Sequence, residues 1–170
     1  MITKLRPNLW RLDFRLFGSI VYILKHNGKI IIIDTGSFAN RPELKRDLKE
    51  LNIRPENVDI VLLTHKHFDH DGNIKIFENA KIYGSKEDFK SDKILDVYKL
   101  NIKGLRVIKT PGHSRGSVCF LLNTGEEKTL FSGDTIFNNG YIGRTDLPGS
   151  NPEDMKKSLE KLKKIDYGLL

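Results

Sequence analysis

The sequence lacks several features that mark special classes of protein. Its 170 residues include one cysteine, Cys119, which excludes an internal disulfide framework. The N-terminus has no apolar signal-peptide core, and no stretch approaches the roughly 18 consecutive apolar residues of a membrane-spanning helix. We therefore expect a cytoplasmic protein with no membrane partner.

Repeats, low-complexity segments and Pro/Gly/Ser-rich linkers are also missing. The composition, 38% hydrophobic and 30% charged, allows a chain of 170 residues to bury its own core. These properties predict a single domain over residues 1–170. The sequence does not predict an oligomeric state.

The chain has an excess of positive charge, with a formal net charge of +7. Clustered lysine and arginine bind nucleic acids by releasing counterions. Here the lysines spread along the chain, and the densest group fits the solvated face of one helix: Lys156, Lys157, Lys161, Lys163 and Lys164. We therefore do not expect a nucleic-acid partner; the small-molecule substrate that we do expect follows from the motifs below.

Alternating hydrophobic patterns and turn residues predict strands with interspersed helices. Strand-like runs at residues 19–25 and 30–33 flank Asn27 and Gly28, the pair that a two-residue type I′ hairpin requires. This hairpin accounts for His26 at its mouth. Further strands are predicted at residues 58–63, 80–83, 105–110, 118–122 and 129–132.

Two amphipathic helices are predicted. The first has Asn40 as its N-cap with Glu43 three residues later, and its apolar face carries Leu44, Leu48 and Leu51. The second covers residues 152–165, with Pro152 in its first turn and a buried stripe of Met155, Leu159, Leu162 and Ile165.

The segment LLTHKHFDHDG, residues 62–72, follows the buried strand predicted at residues 58–63. His65 and His67 are two residues apart, so both side chains project to the same side of an extended segment and can share one ion. Asp69 and His70 reach an adjacent point only if the chain turns into a helix, which we expect at residues 71–72. Imidazole and carboxylate ligands suit zinc, iron and manganese.

A catalytic metal usually takes three or four protein ligands, so other segments must contribute. His113 lies in the Gly-rich turn TPGHSRGS between two predicted strands. Asp134 follows another strand, in FSGDTIF. Each is a single ligand-type residue at a strand end, with small neighbours that allow a metal to approach.

These segments, together with GRTDLP, resemble in order and separation the metallo-β-lactamase superfamily of metallohydrolases, especially its small glyoxalase II-like members. The resemblance covers essentially the whole chain. It implies an α+β fold, the αββα sandwich. It also implies that His65, His67 and His113 hold a first metal ion and that Asp134 bridges to a second.

The same resemblance assigns Asp69 and His70 to the second ion and places Asp34 behind the ligands as a support. A metal-bound water has a pKa near neutrality and supplies a hydroxide nucleophile. With one ion only, Asp69 could instead orient that water or accept its proton. Arg144, in YIGRTDLP, matches a basic position near the substrate and suits a substrate carboxylate, although a surface salt bridge is an equal alternative.

The sequence departs from the family at its C-terminus. The superfamily usually adds one more histidine to the second metal, after one further strand, and residues 164–170 resemble only the opening of that strand. The alternatives are truncation from a longer parent, a ligand donated by a partner subunit, or a one-metal site. We expect truncation, with the terminal strand and loop missing, and one tightly bound zinc ion beside a weaker second site; iron and manganese remain alternatives.

The leading functional prediction is a metal-dependent hydrolase of a thioester or another small acyl ester. One alternative is a persulfide dioxygenase with a single iron, which by resemblance would use His65, His113 and Asp134. A nucleic-acid-processing hydrolase and a degenerate metal-binding protein with low activity are further alternatives.

Overall fold

The computed structural model describes residues 1–125 and 127–168. Within them, three α-helices are α1 (Arg41–Glu50), α2 (Phe68–Asp71) and α3 (Pro152–Leu162). The ten strands of the described residues are β1 (Ile2–Arg6), β2 (Leu9–Leu12), β3 (Val21–His26), β4 (Lys29–Ile33), β5 (Ile60–Leu62), β6 (Lys81–Gly84), β7 (Leu95–Asp96), β8 (Leu105–Lys109), β9 (Val118–Asn123) and β10 (Lys128–Phe131).

The chain forms two compact units. The first comprises Met1–Leu63, His67–Tyr83 and Lys93–Leu95. The second comprises Thr64–Lys66, Gly84–Asp92 and the chain from Asp96 onward. The histidine-rich segment thus contributes residues to both units.

The first unit contains most of a seven-stranded mixed sheet in the order β1 to β7. The predicted hairpin between β3 and β4 is confirmed: Asn27 and Gly28 have φ angles of 51° and 73°, as a type I′ turn requires. Strand β5 pairs in parallel with both β4 and β6, and all three of its residues are buried. This burial explains its continuous apolar sequence.

Helix α1 begins where the sequence predicts, but Asn40 does not cap it with its side chain. The Asn40 side chain is buried and donates instead to the backbone carbonyls of Leu16 and Phe17. The Glu43 carboxylate accepts a hydrogen bond from the backbone N–H of Arg15 rather than from the Asn40 backbone expected of a capping box. Asn40 is therefore the N-cap residue by position, as predicted, but the side-chain capping box does not form, because contacts with a distant loop satisfy both side chains.

The second unit contains a three-stranded antiparallel sheet in the order β10, β9, β8. Its core contains Leu162 of α3, which is 1% exposed, and four buried residues of the sheet. These four are Ile108, Cys119, Leu121 and Leu130. The five lysines of residues 156–164 are all exposed, as the solvated-face interpretation predicts.

Each strand predicted from the sequence is present within two residues of its predicted bounds. Strands β1, β2 and β7 were not predicted. The last helix ends at Leu162, not at residue 165, because Lys163 caps it and Ile165 packs against the core from the following turn. Residues 164–168 form no strand, although Gly168 donates its N–H to the Lys128 carbonyl of β10; the rest of that prediction, residues 169 and 170, lies outside the described residues.

Across residues 1–125 and 127–168, no helix is both long and apolar enough to cross a bilayer.

Candidate metal centre

The second unit brings together three ligand-type side chains from distant parts of the sequence. The imidazole rings of His65 and His113 meet edge to face, with centroids 4.8 Å apart. His113 Nε2 lies 3.3 Å from Asp134 Oδ2, and a ligand atom of His65 lies within 4.8 Å of one on Asp134. Two imidazoles and one carboxylate therefore converge, and both histidines are almost fully buried.

Hydrogen bonds orient both imidazoles of this cluster. His113 Nδ1 lies 2.8 Å from the backbone carbonyl oxygen of Arg144, which can only accept, so Nδ1 carries the proton. Nε2 is therefore the ring nitrogen available to a metal ion, and it faces the Asp134 carboxylate, so a cation between the two atoms would be bound by both. His65 Nδ1 shares a hydrogen bond of 3.0 Å with Thr64 Oγ1. This is the usual arrangement of metal-binding histidines, so the donor set fits a metal ion.

The turn that carries His113 is fixed by the start of α3. Gly112 has a φ of 147°, and a Cβ at this position would lie 2.5 Å from the Met155 Cα, so neither the conformation nor the space admits a side chain. The Gly112 carbonyl accepts a hydrogen bond from Asn151, and Ser158 Oγ donates to the Pro111 carbonyl. The sequence TPGHSRGS is thus shaped by packing against a helix.

The turn that carries Asp134 follows β10 and is equally crowded. Gly133 has a φ of 51°, and a Cβ there would lie 2.6 Å from Thr64 Oγ1. A Cβ at Gly143 would overlap the Asp134 carbonyl oxygen and lie 3.0 Å from the Asp134 Cβ. The segment that carries Asp134 is therefore closely packed at both glycines, and neither position has space for a side chain.

In the first unit, His70 and Asp34 form a buried pair. His70 Nδ1 donates to Asp34 Oδ2 at 2.8 Å, and both side chains are at most 4% exposed. Asp34 has a φ of 56°, an uncommon conformation for a residue with a side chain. The Asp34 carboxylate is thereby placed to orient the His70 ring. The other ring nitrogen of His70, Nε2, lies 3.9 Å from Asp69 Oδ2.

Helix α2 begins at Phe68, immediately after His67 as N-cap, and not at residues 71–72 as predicted. The backbone N–H groups of His70 and Asp71 both donate to the His67 carbonyl at 2.8 and 3.0 Å. The helical turn therefore starts directly after His67. Asp69 and His70 consequently belong to a helix rather than to the preceding extended segment.

The guanidinium of Arg144 pairs with the carboxylate of Asp146 through hydrogen bonds of 2.9 and 2.8 Å. Both side chains are exposed, and the hydrogen bond from Arg144 lowers the pKa of Asp146 to about 2. The structure therefore shows the salt bridge that the sequence left as an alternative for Arg144. Its backbone carbonyl, not its side chain, contacts His113.

Cys119 is fully buried, and burial raises the pKa of its thiol to about 11. Its sulfur lies 3.3 Å from Thr110 Oγ1. A buried, protonated thiol is a poor nucleophile, so Cys119 is a structural residue.

The first unit also exposes an aromatic patch, consisting of Phe17, Phe38 and Phe68, which are 72%, 68% and 68% exposed. The rings of Phe17 and Phe68 stack with centroids 5.8 Å apart. Ser37 Oγ, beside Phe38, donates to the Phe17 carbonyl at 2.6 Å. A group of exposed aromatic side chains is a candidate binding surface.

Several residues around the ligands escaped the sequence analysis. Asn73 is fully buried and donates to the carbonyls of Thr35 and Ser37, linking the segment after Asp34 to the segment after α2. Asp88 contacts the segments on which His65 and His113 lie. Of these residues, only Thr64 could have been found from the local sequence, because it directly precedes His65, the first histidine of the motif.

Comparisons with known proteins agree with this arrangement. The model of the metallo-β-lactamase superfamily matches residues 15–88 and 83–170. The chain is 34% identical over 156 residues to a hydroxyacylglutathione hydrolase of Francisella tularensis subsp. novicida, covering 85% of this chain and 58% of the relative. It is 32% identical over 164 residues to an atrochrysone carboxyl ACP thioesterase of Aspergillus fumigatus, covering 90% of this chain and 49% of the relative.

The chain thus spans about half the length of these two relatives. Among solved structures, a subclass B3 metallo-β-lactamase of Bradyrhizobium japonicum superposes with a TM-score of 0.75 at 19% identity, over 99% of this chain and 76% of that one. This likeness confirms the αββα sandwich fold that the sequence predicted. With a family model that matches almost the whole chain, the protein belongs to the metallo-β-lactamase superfamily.

Proposed function

We propose that the protein is a metal-dependent hydrolase that cleaves a thioester or another small acyl ester. The observation that carries the proposal is the convergence of His65, His113 and Asp134, with the His113 Nδ1 already committed to a carbonyl. His67, Asp69 and His70 are proposed as further ligands because they complete the family motif. Zinc suits this donor set best, with iron or manganese as alternatives.

A bound divalent cation lowers the pKa of a coordinated water and polarises the acyl carbonyl. The protein's own groups then have distinct tasks. His65 and His113 present ligand atoms at fixed angles, because their Nδ1 atoms are engaged. Asp69 would be a ligand of a second ion or, with one ion bound, would accept the proton of the attacking water, and Asp34 keeps the His70 ring oriented.

Three observations support a thioester as the substrate. Two relatives are named a hydroxyacylglutathione hydrolase and an atrochrysone carboxyl ACP thioesterase, and both names describe the cleavage of a thioester. The aromatic patch offers apolar area for an acyl or carrier group, and Phe68 lies between His67 and Asp69 in the chain. Arg144 would bind a substrate carboxylate once it leaves Asp146.

The test begins with the metal. The protein is purified, its metals are measured by elemental analysis, and hydrolysis of thioester, lactone, phosphodiester and β-lactam substrates is assayed before and after chelation. We expect thioester hydrolysis that disappears with the chelator and returns with zinc. The change His113→Ala should abolish activity, whereas His26→Ala at the hairpin should not. Activity that survives complete metal removal would contradict the proposal.

A persulfide dioxygenase is the second candidate, favoured by the composition of the cluster in the second unit. Two histidines and one carboxylate form a ligand set that suits mononuclear iron and oxygen chemistry. Anaerobic purification followed by metal analysis separates the two candidates. Bound iron together with oxygen uptake on glutathione persulfide, without thioester hydrolysis, would replace the hydrolase proposal with this one.

A further inference from the structure

Asp88 bridges two segments of the second unit that carry proposed metal ligands. Its Oδ2 accepts hydrogen bonds from the Lys66 backbone N–H at 3.1 Å and from Ser114 Oγ at 2.6 Å. Its Oδ1 accepts the Gly116 backbone N–H at 2.8 Å. Both carboxylate oxygens therefore accept hydrogen bonds from neighbours of His65 and His113.

The geometry points to Asp88 as a positioning residue that fixes the His65 and His113 segments relative to each other and so sets the metal affinity of the site. The inference rests on the proposed metal-dependent function. It concerns a residue outside the family motif and outside the ligand set.

The Asp88 carboxylate is itself held rigidly. Asp88 lies in the turn after β6, where its own N–H and that of buried Phe89 donate to the Ser85 carbonyl at 3.1 and 2.9 Å. The opposite side is just as close, because a Cβ at Gly116 would lie 2.6 Å from the Asp88 Cγ. The carboxylate and the backbone of the His113 turn are therefore in direct contact, with no space for a side chain.

The bonding pattern requires a carboxylate. All three partners donate: two backbone N–H groups and the Ser114 hydroxyl, which also lies 2.8 Å from Ser117 Oγ. An asparagine has one acceptor oxygen, and its NH₂ group would face a donor. The change Asp88→Asn thus keeps the shape of the side chain but removes at least one hydrogen bond between the two segments.

The effect should appear as a loss of metal affinity. Metal–ligand distances tolerate shifts of only about 0.2 Å, and loss of residues that orient the ligands typically weakens binding by about 10 to 100-fold. Asp88 accepts hydrogen bonds from the backbone N–H groups of Lys66 and Gly116, so it acts through the backbone of residues 65–66 and 113–116.

The experiment compares four proteins: wild type, Asp88→Asn, Ser114→Ala and the control Asp92→Asn, an exposed carboxylate in the same connection with the same charge change. Zinc affinity is measured by competition with a chromophoric chelator, and the visible spectrum of the cobalt form reports the ligand geometry. Thermal unfolding of the metal-free proteins gives a separate measure of folding.

We expect at least about 10-fold weaker zinc binding and an altered cobalt spectrum for Asp88→Asn, a smaller loss for Ser114→Ala, and wild-type values for Asp92→Asn. Ser114→Ala keeps the test decisive should Asp88→Asn fail to fold, since it removes one hydrogen bond only. If wild type binds zinc and both Asp88→Asn and Ser114→Ala keep its zinc affinity and cobalt spectrum, the inference about Asp88 is overturned but the proposed function is not. A wild type that binds no metal would overturn the proposed function as well.

Discussion

Replacement of Gly143 by alanine tests whether the Asp134 ligand is held by backbone packing. Gly143 does not have a positive φ, so its conformation admits alanine, and relief of unfolded-chain entropy alone would stabilise the protein by about 0.4–1 kcal/mol. The added Cβ, however, would overlap the Asp134 carbonyl oxygen. Carbon and oxygen atoms need roughly 3.5 Å, so one of the two segments must move by more than about 1 Å.

A movement of that size is several times larger than the tolerance of a metal–ligand bond, about 0.2 Å. We therefore expect Gly143→Ala to lower the free energy of unfolding by about 1–3 kcal/mol, the usual cost of overpacking, and to weaken zinc binding by at least about 10-fold. Urea denaturation of the metal-free protein and chelator competition measure the two effects separately.

Gly168→Ala is the matched control. Among residues 1–125 and 127–168, its added Cβ would meet only the Lys128 carbonyl oxygen, at an ordinary 3.9 Å, so neither stability nor zinc affinity should fall. If Gly143→Ala behaved like Gly168→Ala, the close packing of Gly143 on Asp134 would not determine the position of the ligand.

Three further predictions concern other parts of the molecule. Burial raises the pKa of Cys119 from 9.0 to about 11, so its contribution to the free energy of unfolding is complete below pH 9 and is lost as the pH approaches 11. In urea titrations over that range, wild type should lose roughly 2–3 kcal/mol more than Cys119→Ala. Parallel pH curves for the two proteins would contradict this prediction. Asp146→Asn, which releases Arg144, should lower KM for a thioester with a free carboxylate and leave KM for a neutral one unchanged; equal shifts for both substrates would argue against a role of Arg144 in binding. The double change Phe17→Ala and Phe68→Ala should lower kcat/KM about 10-fold for a long-chain acyl thioester, because roughly 1–2 kcal/mol of apolar contact is lost. For an acetyl thioester, kcat/KM should hardly change. An equal loss for both substrates would exclude the aromatic patch from acyl binding.

Short-range signals in the sequence were reliable guides to structure. The Asn27-Gly28 pair fixed the hairpin because a type I′ turn needs positive φ at both positions, and few residues other than asparagine and glycine accept it. The apolar run of β5 indicated burial on both faces because both of its neighbours in the sheet are parallel strands. The helix predicted at residues 152–165 is present at Pro152–Leu162, because its apolar period and Pro152 in its first turn are local signals.

The errors arose where a distant segment supplied a stronger partner than the local one, or where an element was too short or too mixed in composition to show a periodic pattern. Asn40 was predicted to cap α1, yet its side chain binds carbonyls of residues 16 and 17. Helix α2 starts at Phe68, and its single turn has too few residues to show a hydrophobic period. Strands β1 and β2 mix charged and apolar residues, so they too carry little periodic signal.

The sequence by itself determined the family and the residue types of the candidate ligands, because the histidine and aspartate motifs have fixed local spacings that resemblance can detect. Only the tertiary structure decided that His113 Nδ1 is held by the Arg144 carbonyl, that the Arg144 guanidinium pairs with Asp146, and that Asp88 joins two ligand-bearing segments. These are contacts between residues far apart in the chain or between a side chain and a backbone carbonyl. Such contacts depend on how turns and strands pack in space, and no local pattern of residue types records them.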